Sequence, residues 1–233
     1  MSVILVFLLV IAGVAAWWLS NQRIMSKPWL EHGTHDDFDT DVTGMPTAKI
    51  GLGVFLAVVG CLFALFASAY FMRMELSDWQ PMPLPRILWV NTGILVLSSV
   101  ALHLAVVAVR RDQIGTMRLA LATGGLTALA FLAGQLIAWR ELSAAGYGLD
   151  ANPANSFFYL LTAAHGLHIV GGLVALGRTT VKAWSIVPRD KLRLSIELCA
   201  MYWHFLLFIW FAVLVLIAGW AADFITICRE LLA

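Results

Sequence analysis

Long uncharged runs, each closed by charged or polar residues, set the pattern of this chain. Six of them occur: Met1–Gln22, Ile50–Met72, Ile87–Val109, Leu119–Trp139, Ala151–Gly177 and Leu198–Ala222. Each is long enough to cross a hydrocarbon core, which takes about 20 residues as a helix. None alternates with period two, so a barrel is not indicated, and in lipid only a helix satisfies its own backbone. The pattern predicts an all-α integral membrane protein of six transmembrane helices, an N-terminal anchor helix followed by a five-helix up-and-down bundle. By segment this gives an anchor at 1–22, a polar acidic linker at 23–48, the membrane domain at 49–223 and a short tail at 224–233. The first run lacks the basic region that precedes a secretory signal, and Trp17-Trp18-Leu19 is a poor cleavage site, so it reads as a retained anchor.

Composition agrees with this class: 61% of residues are hydrophobic and 12% charged, about half the charged share of a soluble domain. Trp17, Trp18, Trp89, Trp139, Trp184 and Trp220 stand near the ends of the runs, where an interfacial belt belongs. The lysines and arginines divide by loop. Eleven belong to one side, including Arg110, Arg111, Arg118, Arg178, Lys182, Arg189, Lys191 and Arg193. Four belong to the other: Arg73, Arg86, Arg140 and Arg229. The positive-inside rule then places both termini on the outer side, periplasmic in a bacterial inner membrane. Net charge is +1 with no basic block, which excludes nucleic acid as a partner class.

Candidate chemistry is sparse. Asp36, Asp37, Asp39 and Asp41 lie in the linker without the glycine and distal glutamate of an EF-hand loop, so they read as a solvated segment. Cys61, Cys199 and Cys228 form neither a CxxC pair nor a zinc spacing. Polar residues at membrane depth are costly and mark the places to examine. They are Asn91, His103, Gln135, His165, His168, His204 and, near one end, Glu197. His165 and His168 share a helical face, beside Gly166, Gly171 and Gly172, which let another helix come close. Two readings stand for the histidines: haem ligation by a facing pair such as His165 and His204, or hydrogen bonding between helices or to lipid headgroups. Glu197 and His204 are two turns apart on nearly one face, which suggests a polar seam linking the last two helices. No Walker motif, nucleophile elbow, copper-type cysteine pair or paired intramembrane carboxylate is present. The residues therefore indicate no catalytic site, no metal site and no cofactor site.

Three segments resemble one family. Ser156-Phe157-Phe158-Tyr159-Leu160-Leu161-Thr162-Ala163-Ala164-His165-Gly166-Leu167-His168 is similar to the S-x-F-x-x-x-T-x-x-H-G-x-H signature of cytochrome c oxidase subunit III. Tyr202-Trp203-His204-Phe205 with Trp210 is similar to its Y-W-H-F-x-x-x-x-W, and Pro83-Leu84-Pro85 with Leu88-Trp89-Val90-Asn91-Thr92 resembles the matching loop and helix start of bacterial members. The resemblance runs from about Lys49 to Ala222. It implies a subunit without redox centres, in a haem-copper oxidase that reduces oxygen to water and pumps protons. Such a subunit packs against catalytic subunit I beside copper-carrying subunit II, holds phospholipids, and sustains turnover rather than performing it. Haem and copper are then expected in the partners, and cytochrome c as donor to the whole complex. Within that frame His165, His168, Glu197, Trp203, His204, Asn91 and His103 are expected as inter-helix or lipid contacts. Two positions depart from the family pattern: Val59 stands where many members carry an embedded glutamate, and Leu207 where an aspartate is frequent. Alternatives are subunit III of a quinol oxidase, an accessory subunit of nitric oxide reductase, and, from other classes, a haem-b membrane anchor or a transporter.

Overall fold

A computed structural model describes residues 46–185 and 188–220. The chain divides after Ile50 into two compact units. Of the first, Pro46–Ile50 are described, where the Lys49 amide donates to the Pro46 carbonyl at 2.8 Å as a helix begins. The N-terminal anchor run, most of the acidic linker and the tail lie outside the described residues.

Five helices follow one another: α1 (Thr47–Met74), α2 (Ile87–Arg110), α3 (Ile114–Ala144), α4 (Pro153–Trp184) and α5 (Arg189–Ile217). All five are long and apolar enough to span a membrane. Among the described residues there is no strand. Three helices extend well past the uncharged runs that predicted them. α3 continues through Arg140 and Glu141, α4 through Arg178 and Lys182, and α5 starts at Arg189 rather than Leu198. Charges mark where water begins, whereas a helix stops only where its caps or turns stop it.

The stops are legible in the backbone. α3 ends on Gly146 at φ 88°, with Tyr147 N donating to Leu142 O and Gly146 N to Ser143 O, the paired bonds of a Schellman cap. α4 opens with Asn152, whose side chain accepts from the Ala154 amide at 3.1 Å, followed by Pro153 in the first turn. The tight α2–α3 turn passes through Asp112 at φ 56°, a left-handed position that aspartate tolerates better than most residues. Between α1 and α2, Arg73 donates to Asp78 at 2.6 Å, and that bond holds the Asp78 carboxyl below its ordinary range.

α2, α3, α4 and α5 pack neighbour to neighbour in a closed ring, since α5 returns to α2. The largest fully buried side chains of its interior are Trp203, Trp210, Phe131 and Phe158. α1 stands differently. Its close approaches to α4 and α5 are made by side chains: Phe63 against the rings of His165 and His168, Tyr70 against Phe157, and Phe55 against Tyr202. Leu56, Val59, Phe63 and Tyr70 are its buried residues. Val59 is 3% exposed in the apolar cluster that holds Phe63, Leu161 and Ile209, an environment hostile to an unpaired carboxylate. Leu207 packs on the rim of the main core.

Candidate functional site

The polar side chains inside the ring connect helices. The Trp203 indole on α5 donates to Ser98 Oγ on α2 at 2.9 Å, and Ser98 donates to the Gly124 carbonyl on α3 at 2.8 Å. Two turns further along α5, Trp210 donates to Thr92 Oγ1 at 2.9 Å, and Thr92 in turn donates to Leu88 O at 2.7 Å. Asn91 Nδ2 reaches Phe131 O at 3.0 Å and Gln135 Oε1 at 3.4 Å on α3. Asn91 fits because position 134 is glycine: a Cβ there would lie 2.2 Å from Asn91 Oδ1. These rungs tie α2 to α3 and α5 at successive depths.

The α4 histidines serve different contacts. His165 is fully buried, tilted 35° on the Trp210 ring at 5.1 Å, with Phe131 at 5.9 Å and Phe63 at 6.4 Å. Its ring nitrogens have no hydrogen-bond partner among the described residues. Phe131 and Phe63 meet it edge-on, while Trp210 lies tilted across it. His168 Nδ1 meets the Ala164 carbonyl at 2.7 Å, one turn back on its own helix, and the His168 carbonyl accepts from the Tyr202 hydroxyl at 2.8 Å. The α4–α5 link therefore runs through the His168 backbone rather than its imidazole.

Glu197 and His204 face α2, not α4. Glu197 accepts from Arg110 at 2.9 Å and from Arg193, one turn before it, at 3.2 Å. His204 Nδ1 lies 2.6 Å from Ser99 Oγ, and its ring centroid is 5.6 Å from that of His103 on α2. The expected single seam between the last two helices is thus divided. Glu197, Trp203 and His204 join α5 to α2, while Thr179 with Cys199 (3.3 Å) and Lys182 with Ser195 (3.2 Å) join α4 to α5. The reason is angular. Residues seven apart share a face, but that face looks to whichever neighbour the chain ends bring alongside.

His165 and His204 have different surroundings, one caged by aromatic rings and the other beside Ser99 and His103. The pair named for the haem-anchor reading, His165 with His204, is therefore not brought face to face. No group of three or more His, Cys, Asp or Glu side chains able to hold a metal ion occurs among them either. Sequence reading passed over Ser98 and named Thr92 and Thr162 only as motif positions. Thr162 accepts from the Trp139 indole at 3.1 Å and donates to Phe158 O at 2.7 Å. The signal was available: each buried indole N–H requires an acceptor, and hydroxyls inside apolar runs are the nearest supply.

The matching family model is described as cytochrome c oxidase subunit III and covers residues 2–222. A cytochrome c oxidase subunit 3 of Thermostichus vulcanus is 32% identical over 166 residues, covering 69% of this chain and 81% of the relative. One from a Synechocystis strain is 29% identical over 213 residues, covering 84% and 89%. A heme-copper oxidase subunit I+III of Aeropyrum pernix is 28% identical over 218 residues, covering 88% of this chain and 26% of that longer protein.

Proposed function

Since the chain belongs to the cytochrome c oxidase subunit III family, a membrane-bound component of an oxidoreductase complex, we propose that it is the cofactor-free, structural member of that complex. In this reading it packs against subunit I, stands beside copper-carrying subunit II, and binds phospholipid along its apolar exterior. The complex draws electrons from cytochrome c in a bacterial inner membrane. The joining of subunits I and III in one name in the Aeropyrum relative supports the first partnership. The observation that carries the reading is how the polar groups at depth are used. Ser98, Thr92, Asn91, Thr162 and Glu197 are each engaged with a neighbouring helix rather than gathered round a shared reacting position. Such contacts hold helices in register.

A tag on this chain should recover haem-copper oxidase activity from native membranes. Stripping the chain from the purified complex should leave the haem spectrum unchanged while activity fades during sustained turnover. A Soret band that stays with the isolated chain, and disappears in His165→Ala or His204→Ala, would overturn the cofactor-free role.

The eleven-to-four division of lysine and arginine supports both termini on the periplasmic side. With that orientation the Arg110–Glu197 ion pair and the Arg189–Asp112 pair at 2.8 Å lie at the inner face. A C-terminal protease tag should then be cut in cells whose outer membrane alone is permeabilised. Cleavage only after the inner membrane is opened argues for the inverted arrangement.

A further inference from the structure

His103 and His204 are both exposed, yet they stand within membrane-spanning helices. His204 lies seven residues into α5 from Glu197, about 10 Å along the axis, which is roughly a third of the way across a hydrocarbon core. Its Nδ1 is engaged by Ser99. No hydrogen bond occupies Nε2, or either ring nitrogen of His103, among the described residues. Polar side chains at such depth belong against protein or in a water-filled cavity, not against acyl chains. The same seam is marked at both ends. The Arg110–Glu197 pair closes it at one end, and Trp89 and Trp220, with ring centroids 5.8 Å apart, at the other. Between these marks Val100 and Phe208 are 49% and 67% exposed.

We propose that the α2–α5 seam centred on His103 and His204 is the face on which subunit I docks, through a transmembrane helix that presents hydrogen-bonding groups to the two free imidazole edges. The proposal rests on the family reading, which makes a membrane-embedded catalytic subunit the partner. The outer faces of α3 and α4 make the contrast. Leu126 and Leu167, 67% and 71% exposed, are apolar side chains suited to lipid, so these faces carry no such demand.

A photo-cross-linking amino acid placed at position 100 or 208 in the full complex tests this, with positions 126 and 167 as the comparison. Cross-links to subunit I from 100 and 208, with lipid adducts from 126 and 167, are the expected result. Cross-links from 100 and 208 to lipid, or to residues 1–22 of the same chain, overturn the assignment. So do cross-links to subunit I from 126 and 167 alone. These outcomes leave the family reading intact, because the chain still co-purifies with the oxidase. Failure to co-purify at all would remove that reading instead. The H103L variant supplies an independent measure, because no hydrogen bond within the chain engages His103 among the described residues. Losing one interhelical hydrogen bond of the strength found in membranes should lower retention of the chain in detergent about threefold, with its level in native membranes unchanged. Undiminished retention counts against the seam.

Discussion

Cutting Trp203 back to alanine should release this subunit from its complex in mild detergent, because this one side chain links α5 to both α2 and α4. The side chain has no exposed surface, donates to Ser98 on α2, and sits where a Cβ on Gly172 of α4 would meet it at 2.7 Å. Through Ser98 it reaches the Gly124 carbonyl of α3. Truncating a buried aromatic residue to alanine costs about 3–5 kcal/mol in soluble cores. The lower part of that range applies here, because lipid tails are as apolar as the core and the loss is one of packing rather than of transfer from water. Trp203→Phe separates the terms. It keeps most of the packing and loses one indole bond, about 0.6 kcal/mol by membrane averages. Denaturation of the purified chain by increasing SDS fraction would measure both variants. Equal losses for the two would mean that the hydrogen bond, not the packing, holds α5 in place.

The second large effect belongs to Gly172. Its missing side chain admits Tyr202 and Trp203: an added Cβ would lie 2.6 Å from Tyr202 Cε1 and 2.7 Å from Trp203 Cζ3. These are rings held by their own polar ends, Tyr202 by the His168 carbonyl and Trp203 by Ser98. They cannot swing aside without breaking those bonds. Gly172→Leu should therefore cost about 1–3 kcal/mol or more by overpacking and abolish recovery of the subunit with its complex. Gly171→Leu is the control, since a Cβ there meets nothing within 4 Å. Thermal retention of the subunit in detergent would compare the two, and similar losses at 171 and 172 would show that the close approach is not the cause.

Five of the six expected spans correspond to the described helices, because apolar length between charges measures what a bilayer demands. Helix ends were less legible. Glu141 and Arg178 interrupt the apolar pattern without interrupting the hydrogen-bond ladder, whereas Asn152-Pro153 and Gly146 carry true start and stop chemistry. The candidate residues were singled out by scarcity: Asn91, His165, His168, Glu197 and His204 stand out in apolar surroundings. Which neighbour each one faces was not legible, since helix periodicity fixes relative direction along one helix but not the order of helices around a ring. Hence Glu197 and His204 were expected beside α4 and lie beside α2. The acceptor roles of Ser98, Thr92 and Thr162 stayed hidden because serine and threonine are common enough in apolar helices to pass as neutral.

The ring's closure by α5 also sets an order on synthesis. When α1 enters the bilayer, the α4 and α5 rings that will receive Phe63 and Phe55 have not yet been made. It must rest in lipid before those rings exist, and it is the most apolar of the five described helices. α2 and α3 can pair as soon as their short turn is complete. Yet Thr92, Ser99 and Arg110 keep their α5 partners waiting until the last helix arrives. A nascent chain arrested before Arg189 therefore displays a line of polar groups to the bilayer along α2. Completion of translation hides them, so a membrane protease that surveys exposed polarity could tell an unfinished chain from a finished one.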